Sequence, residues 1–183
     1  MAEPARRLVT ADEFLAFEGE GDTRYELIDG VIVAMAPPSD PHGTIMINTG
    51  IEVDRRLDGR PPCRAIGEAG IRLNEHNHYK ADLAVTCAEP DAAAYVREPF
   101  LIVEVLSATT AKDDLAVKLP RYIALPSVRE IWLVDSRERW VQVWRRGAEA
   151  WIVSLPLRGP ATFRSDALGD EIALDRLYRN SGL

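Results

Sequence analysis

Hydrophobic positions alternate with polar ones, or run together, in several short segments that predict β-strands. Residues 24–28 and 31–35 flank Asp29-Gly30, a pair that tolerates the positive φ angles of a two-residue hairpin turn. Residues 100–106 form a nearly continuous apolar run, which indicates a central strand covered on both faces. Further strands are predicted at 63–73, 79–86, 130–135, 140–145 and 151–155. The first two of these are separated by a polar turn and would form a second hairpin.

Three other segments have the features of helices. Thr10 and Glu13 form a capping box that opens a short helix to about residue 18. Residues 42–57 carry an apolar stripe at helical spacing, formed by Ile47, Ile51 and Leu57. A cap at Thr109 or Thr110 opens a third helix that ends near residue 124. Because helices and strands interleave without repeats, the sequence predicts an α/β fold with one mixed β-sheet flanked by helices.

The length and composition fit one soluble domain. At 183 residues the chain can bury a core as a single domain spanning residues 1–183. Hydrophobic residues make up 46% and charged residues 28%, and no apolar run is long enough for a membrane helix. No apolar stretch follows Arg6 and Arg7, so we expect no export signal and a cytoplasmic location.

The cysteines and the net charge limit which kinds of binding site the chain can form. Cys63 and Cys87 lie in strand-like segments without a CxxC spacing, so we expect reduced core thiols and no zinc site. The formal charge of −7 argues against nucleic-acid binding over the whole surface, because that affinity comes mainly from cations that neutralise phosphates. Arginine clusters within 55–64 and 137–146 allow local binding, although such runs are usually solvated faces.

Glu104 interrupts the most apolar strand of the chain, where its charge would be removed from water. An isolated buried carboxylate is costly, so it must be protonated, paired with a cation or used as a metal ligand. Strand alternation places it on one face with Ile102 and Leu106. The alternative to a ligand role is a buried ion pair with an arginine.

Asp82 and Lys118 are candidates for a second metal ligand and a catalytic cation. If Asp82 lies beside Glu104, the two carboxylates repel each other, and a hard cation such as Mg²⁺ relieves that repulsion. Otherwise Asp82 is an exposed strand residue. Lys118 falls on a core-facing helical stripe, together with Leu115, Leu119 and Tyr122. Its compact ammonium suits the binding of one anionic oxygen. Alternatively, the methylene groups of the side chain cover apolar surface while the ammonium lies in solvent.

Glu26 and His42 are weaker candidates. Glu26 would lie opposite Val33 in the first hairpin, either as an outer ligand or water-positioning base, or as a half-exposed strand residue. His42 stands at a helix start, where a histidine is commonly part of the local structure. The sequence has no glycine-rich phosphate loop, GxSxG elbow or HExxH motif.

The order of six segments along the chain carries a resemblance to a known family. The segments are YELIDG (25–30), PPSDPHG (37–43), KAD (80–82), VEVLS (103–107), KL (118–119) with Tyr122, and EIWLVD (130–135). Together they resemble the Uma2-type restriction-endonuclease-like family, formerly a domain of unknown function, in the PD-(D/E)XK nuclease superfamily. The similarity spans roughly residues 8–155. It implies a restriction-endonuclease-like core with an N-terminal helix and β-hairpin.

The resemblance also implies roles for individual residues. Asp82 and Glu104 would bind metal, and Glu26 would be the acid from the N-terminal part of the site. The superfamily motif places a lysine two residues after the second acid, where Leu106 stands here. The family supplies that lysine from the following helix instead, at the position of Lys118.

Three positions depart from the family pattern or disturb it. Proline usually precedes the first acid and follows the serine, but Ala81 and Ala108 occupy these positions. Pro120 lies inside the lysine-bearing helix, where it removes a backbone hydrogen bond and is expected to kink the helix near Lys118.

The expected activity is that of a Mg²⁺-dependent endonuclease, with Mn²⁺ as a substitute, that hydrolyses phosphodiester bonds in DNA. Glu26, Asp82, Glu104 and Lys118 would be its catalytic residues, with Lys118 positioning the attacking water or stabilising charge on the phosphoryl oxygens. We expect no membrane partner. We do expect a homodimer, because nicking the two opposite strands of DNA needs two sites. Two alternatives remain: a non-catalytic member of the fold that binds nucleic acid or protein, and a hydrolase of a smaller phosphoester.

Overall fold

The helices and strands follow the predicted order in a computed structural model that describes residues 7–108 and 111–183. The strands are β1 (Tyr25–Ile28), β2 (Val31–Ala34), β3 (Arg64–Asn74), β4 (Asn77–Thr86), β5 (Leu101–Leu106), β6 (Glu130–Asp135), β7 (Trp140–Arg146), β8 (Trp151–Val153), β9 (Leu157–Arg158), β10 (Thr162–Ser165) and β11 (Asp170–Ala173). The helices are α1 (Ala11–Leu15), α2 (Asp40–Asp54), α3 (Ala111–Asp113), α4 (Leu119–Ala124) and α5 (Leu174–Leu177). A π-helical turn, Asp114–Lys118, connects α3 to α4. The caps predicted at Thr109 and Thr110 lie outside the described residues.

Nine strands of the described residues form one mixed sheet. Its main path is β2-β1-β4-β5-β6-β7-β8, with β3 paired to β4 and β9 paired to β7. The β5–β6 pair is parallel and the other pairs are antiparallel. All six residues of β5 are buried, as predicted for a strand covered on both faces. The predicted α/β fold is therefore confirmed.

The N-terminal helix and hairpin have the predicted local structure. The Thr10 side chain caps the Glu13 amide, and the Glu13 side chain returns to the Thr10 amide, although the helix ends at Leu15. Asp29 and Gly30 have φ angles of 48° and 74°, which a two-residue hairpin turn of this kind requires. The register places Glu26 opposite Val33. The predicted register of the first hairpin is therefore confirmed.

Strands β1 and β5 share one edge of β4. On this edge β1 pairs with β4 at His78, and β5 pairs with it only from Leu83 to Val85. The opposite edge of β4 is occupied by β3 along most of its length. Between the two short pairings, from about Lys80 to Asp82, β4 has no strand on its shared edge. This gap is where the candidate site lies.

Each face of the sheet carries a hydrophobic core. One core includes α2, α5 and the odd-numbered residues of β5, and the other includes α4 and the even-numbered residues Ile102 and Leu106. The stripe predicted for α2 is wrong, since Ile47 and Ile51 are exposed. The buried face is instead His42, Ile45, Asn48, Thr49, Glu52 and Val53. Polar side chains can occupy this face because they form hydrogen bonds there. Asn48, for example, donates to the Leu177 carbonyl at 3.1 Å.

The cysteines form a disulfide, so the prediction of reduced thiols is wrong. Arg64 pairs with Thr86 at the end of the β3–β4 ladder. The residues just outside that pair, Cys63 and Cys87, are therefore opposite each other, with Cα atoms 3.8 Å apart. Sequence spacing did not show this, because the contact depends on the register of the hairpin.

None of the described helices has both the length and the apolar character needed to cross a membrane.

Candidate active site

A cavity of about 270 Å³ opens at the gap beside β4. Its polar and charged lining consists of Arg24, Ser39, His42, Lys80, Asp82, Glu104, Ser107, Asp114, Lys118, Ser136 and Arg137. Three of the four residues predicted from the sequence, Asp82, Glu104 and Lys118, thus meet at one cavity. The fourth, Glu26, contacts Lys118 from behind the cavity wall.

Lys118 projects from the π-helical turn into a group of acids. Its Nζ lies 2.7 Å from Glu26 Oε1, 3.2 Å from Asp114 Oδ1 and 3.9 Å from Glu104 Oε1. The side chain is only 5% exposed, so the ammonium does not reach bulk solvent. It also donates to the main-chain oxygen of Lys80 at 3.3 Å, on the unpaired stretch of β4. The ammonium therefore links this edge of the sheet to the acids of the cavity.

The charge of Lys118 is maintained by these neighbours. Burial alone would lower the pKa of the ammonium, but the negative charges of Glu104, Glu26 and Asp114 outweigh it and raise the pKa above its ordinary value. The neighbouring carboxylates therefore favour the protonated form of Lys118, which suits charge stabilisation.

The π-helical turn explains two departures from the predicted helix. A π turn contains more residues than an α turn and so changes which side chains face the core. As a result Asp114 is buried and Leu115 is exposed, contrary to the predicted stripe. Lys118 has αR dihedral angles, so the helix continues from the π turn into α4, and Pro120 lies inside it with no amide hydrogen to donate. The expected disturbance near Lys118 thus takes the form of a π-helical turn directly before Pro120.

Glu104 is buried on β5, and Tyr122 donates its hydroxyl to Oε1 at 2.7 Å. Burial raises the pKa of Glu104 well above its ordinary value, and the charges of Asp114 and Asp82 add to this, while Lys118 and Tyr122 oppose it. Among the described residues its cationic neighbour is Lys118, so the arginine ion pair considered from the sequence does not form. The carboxyl therefore lies in a strongly negative environment that a further cation would relieve.

Asp82 takes the place of a missing strand partner. The pairing of β4 with β5 ends at Leu83, and Asp82 Oδ2 instead accepts the amide of Val105 at 2.7 Å. Its Oδ1 lies 3.3 Å from Nε2 of His42. The carboxylate is thus fixed from two sides beside the strand that carries Glu104, and it is not the freely exposed residue that the sequence alternative described.

Asp114 is the residue of this cavity that sequence reasoning missed, and His42 was named there only as a weak candidate. His42 does belong to the start of α2, where Ser39 caps its amide at 3.4 Å, but its ring also meets Asp82. Burial would lower the pKa of His42, and Asp82 outweighs this and raises it. The spacing of Asp114 to Lys118, four residues on a helix, could have revealed that pair. No local signal joins His42 to Asp82.

Glu26 completes the unpaired edge of β4. Its buried Oε1 accepts the amide of Lys80 at 2.8 Å and contacts Lys118 Nζ at 2.7 Å. A side chain from β1 thus occupies a position that a strand backbone would fill elsewhere. This geometry makes Glu26 the residue that positions the ammonium.

The carboxylates at this cavity are of the donor type that a hard divalent cation uses. Glu26, Asp114 and Glu104 surround the buried Lys118 ammonium, and Asp82 lines the same cavity. No group of three or more His, Cys, Asp or Glu side chains with the spacing of a metal site occurs within residues 7–108 and 111–183. An ion held by Asp82 and Glu104 would therefore take its remaining ligands from water and substrate.

Comparisons with known proteins agree with this architecture. The family model "Uma2: Putative restriction endonuclease" matches residues 11–176. Two proteins of Synechocystis sp. (strain ATCC 27184 / PCC 6803 / Kazusa) are similar. "Uncharacterized protein slr1290" is 27% identical over 93% of this chain and 92% of its own, and "Uncharacterized protein sll1609" is 24% identical over 84% and 90%. The crystal structure of "a putative nuclease belonging to DUF820" from Anabaena variabilis ATCC 29413 matches with a TM-score of 0.75 at 19% identity, over 93% of this chain and 97% of that one. At this identity the structural match shows a shared fold.

Proposed function

Because this chain belongs to the Uma2 family of restriction-endonuclease-like proteins, we propose that it is a Mg²⁺-dependent endonuclease that hydrolyses phosphodiester bonds in DNA. The observation that carries the proposal is the position of the Lys118 ammonium, buried between Glu26, Asp114 and Glu104 in a cavity that Asp82 also lines. A buried cation among carboxylates, open to a cavity, is a common basis for phosphate chemistry.

Asp82 and Glu104 would hold the metal, Mg²⁺ or Mn²⁺. When bound, such an ion supplies electrophilic polarisation of the phosphate and neutralises charge that develops on its oxygens. The protein's own residues prepare the site: the Val105 amide and His42 fix the plane of the Asp82 carboxylate, and Tyr122 fixes Glu104. Such outer contacts orient ligands and tune their affinity.

Lys118 would stabilise the negative charge of the phosphoryl oxygens, or hold the attacking water, as a donor that stays protonated. Glu26 acts through Lys118, since it contacts that ammonium and does not line the cavity. Three further cations line the cavity, Arg24, Lys80 and Arg137, and each is paired with a carboxylate that it would share with the phosphates of a bound strand.

The remaining features of the proposal extend beyond the site. We propose one nuclease domain spanning residues 1–183, acting as a homodimer because cleavage of both strands of a duplex needs two sites. A cytoplasmic location is proposed from the sequence alone. The Cys63–Cys87 disulfide is an observation against it, because reducing compartments disfavour such bonds.

A cleavage panel tests the activity and separates it from its alternatives. Wild type would be incubated with duplex DNA, single-stranded DNA, RNA and bis(p-nitrophenyl) phosphate, in Mg²⁺, Mn²⁺ or EDTA. We expect metal-dependent cleavage of DNA, and a loss of at least about a hundredfold in Asp82→Asn and Glu104→Gln. Glu149→Gln, a change of the same kind on an exposed loop, should cleave like wild type.

Calorimetric titration with Mn²⁺ is the companion measurement. Metal binding that the Asp82→Asn variant loses, without cleavage of any substrate, would favour the non-catalytic alternative. Cleavage of the small diester alone would favour a hydrolase of smaller phosphoesters. If wild type neither binds metal nor cleaves, the proposed function is wrong.

A further inference from the structure

A second cavity lies at the other end of the central strands. Its volume is about 360 Å³, and its lining includes four arginines, Arg60, Arg129, Arg145 and Arg146. Phe100 and Arg129, which precede β5 and β6, mark its position, whereas Ser107 and Ser136, which follow these strands, line the candidate active site. A six-residue strand spans roughly 20 Å, so the two cavities are separate.

These arginines differ from most others in the chain. Ten arginines are paired with carboxylates: Arg7, Arg24, Arg55, Arg56, Arg72, Arg97, Arg121, Arg137, Arg139 and Arg158. By contrast, Arg60, Arg129 and Arg146 have no carboxylate partner within the described part of the chain. In a protein of net charge −7, three unneutralised guanidinium groups at one cavity form a local basic site.

Two of the arginines are held in place by main-chain oxygens. Arg146 donates from Nε to the Val128 carbonyl at 2.6 Å, and from Nη2 to the carbonyls of Ile123 and Leu125 at 2.8 and 2.6 Å. Arg60 donates to the Leu168 carbonyl at 3.1 Å. Carbonyl groups orient a guanidinium without cancelling its charge. Arg146 Nη1 and the Nε and Nη2 of Arg60 make no hydrogen bond with the described residues, so these donors are available at fixed positions, which reduces the entropy lost on binding.

The acids near this cavity do not balance its charge. Arg145 Nε lies 3.7 Å from Glu130 Oε2 and 3.6 Å from Asp166 Oδ2, too far for a hydrogen bond. Glu130 Oε2 is occupied by the amides of Asp166 and Ala167. The Nε of Arg145 is buried without a hydrogen-bond partner among the described residues. Four guanidinium groups thus face two carboxylates, which leaves a net positive charge at the cavity.

We propose that this cavity binds a phosphate group. Guanidinium groups match the geometry of phosphate oxygens in paired hydrogen bonds, and several arginines at fixed positions are a typical phosphate-binding arrangement. The phosphate belongs either to a small ligand, such as inorganic phosphate or a nucleotide, or to the backbone of a nucleic acid. The site is independent of the proposed nuclease cavity and would exist even if that cavity had another activity.

Arg129→Ala is the informative variant. The Arg129 side chain is exposed and makes no hydrogen bond or ion pair with the described residues, so its removal leaves the fold intact. The double variant Arg60→Ala/Arg129→Ala removes two of the three unneutralised cations. Arg158→Ala changes the net charge by the same amount per substitution, but removes an exposed arginine paired with Glu138, and is the matched control.

Binding would be measured in EDTA, so that no metal recruits phosphate to the other cavity. Inorganic phosphate is followed by calorimetry, and a fluorescent 20-nucleotide single strand by anisotropy across a salt series. We expect Arg129→Ala to weaken binding about tenfold, and the double variant more, with Arg158→Ala near wild type. For the oligonucleotide, the slope of log K against log salt should fall by about one for each arginine removed.

The two ligands distinguish the source of the phosphate. Loss confined to inorganic phosphate supports a small-ligand site, and loss of oligonucleotide binding with a reduced salt slope supports a backbone contact. The proposal is overturned if wild type binds neither ligand, or if the double variant and Arg158→Ala bind both ligands equally well.

Discussion

Lys118 has three acidic neighbours and almost no exposed surface, so its chemistry is determined by these contacts. The ammonium is small enough to contact Glu26, Asp114 and the Lys80 carbonyl within 3.3 Å at once. A planar guanidinium carries the same charge but places its donors farther from the stem and in one plane. Charge and geometry can therefore be separated by experiment at this residue.

We predict that Lys118→Arg loses most of the proposed nuclease activity while keeping its charge. The larger group cannot occupy the same point between the acids, so it displaces Glu26 or Glu104. Cleavage rates in Mg²⁺ would be compared with those of Lys112→Arg, the same exchange on an exposed position of α3. Near wild-type cleavage by Lys118→Arg would mean that only the charge matters.

Glu104→Gln should keep or raise the melting temperature in EDTA and abolish cleavage. The change removes repulsion from Asp82 and Asp114, and the amide oxygen can still accept the Tyr122 hydroxyl. Added Mn²⁺ should stabilise wild type according to RT ln(1 + [L]/Kd), and the variant much less. Melting curves across a Mn²⁺ series provide the measurement. Strong destabilisation of the variant in EDTA, with wild type indifferent to metal, would show that Glu104 is one half of a buried ion pair with Lys118.

At the scale of elements, the long β3–β4 hairpin is the scaffold of the site, because β4 carries Asp82 and the main chain that Glu26 and Lys118 contact. One end of this hairpin is closed by the turn between Asn74 and Asn77, and the other by the Cys63–Cys87 disulfide. The disulfide closes a loop of 24 residues in sequence separation. Cross-linking a loop of this size restricts the unfolded chain.

Removing the disulfide should therefore lower the free energy of unfolding by about 3 kcal/mol. Urea unfolding of Cys63→Ser/Cys87→Ser, and of wild type with and without dithiothreitol, measures this loss. The reductant should have no effect on the double variant. Two titratable thiols in wild-type protein that has been unfolded without reductant would contradict the bond itself.

His78 connects the same strand to the N-terminal helix, since its ring lies 5.2 Å from that of Phe14. Burial lowers the pKa of His78, and the nearby charges of Arg72 and Lys80 lower it further. The unfolded state therefore takes up a proton first, at about pH 6.5. The contribution of His78 to stability is complete above that pH and is lost as the pH falls through the lower value of the folded state.

We predict that the stability difference between wild type and His78→Phe shifts in favour of the variant as the pH falls from 7.5 to about 5. Taking the difference cancels the titration of groups common to both proteins. His76→Gln, a change at a more exposed histidine, should show no comparable shift. Urea unfolding at several pH values gives the comparison, and a difference that does not depend on pH would refute the assignment.

At the scale of the whole molecule, local patterns predicted the parts and long-range register decided how they meet. The Asp29-Gly30 turn, the Thr10 cap and the buried run of β5 each depend on neighbouring residues, so the sequence revealed them. The disulfide, the His42–Asp82 contact and the polar face of α2 depend on segments distant in sequence. The π-helical turn changed one member of the predicted stripe, because it left Leu115 exposed while Lys118, Leu119 and Tyr122 remained buried.

The C-terminal segment, residues 157–183, also depends on contacts that a local sequence pattern does not reveal. Its short strands and α5 have little periodicity of their own, and they are held by contacts to distant elements. Tyr178, for example, donates its hydroxyl to the Asp135 carbonyl at 2.8 Å. The Glu130 carboxylate accepts the amide of Asp166 at 2.8 Å. No local pattern can reveal contacts of this kind.

The unpaired stretch of β4 has a consequence for how the protein tolerates mutation. Glu26 and Lys118 complete the hydrogen bonding of the Lys80 backbone, and Asp82 does the same for Val105. Side chains proposed for chemistry therefore also replace a missing strand, and leaving such groups unsatisfied costs about 1 to 3 kcal/mol each. We predict the outcome of a saturation mutagenesis screen that is scored only by protein abundance. Alanine at Glu26, Asp82 or Lys118 should be depleted. Asp82→Asn and Glu26→Gln should persist, because they keep an acceptor oxygen. A screen scored by cleavage would remove Asp82→Asn as well.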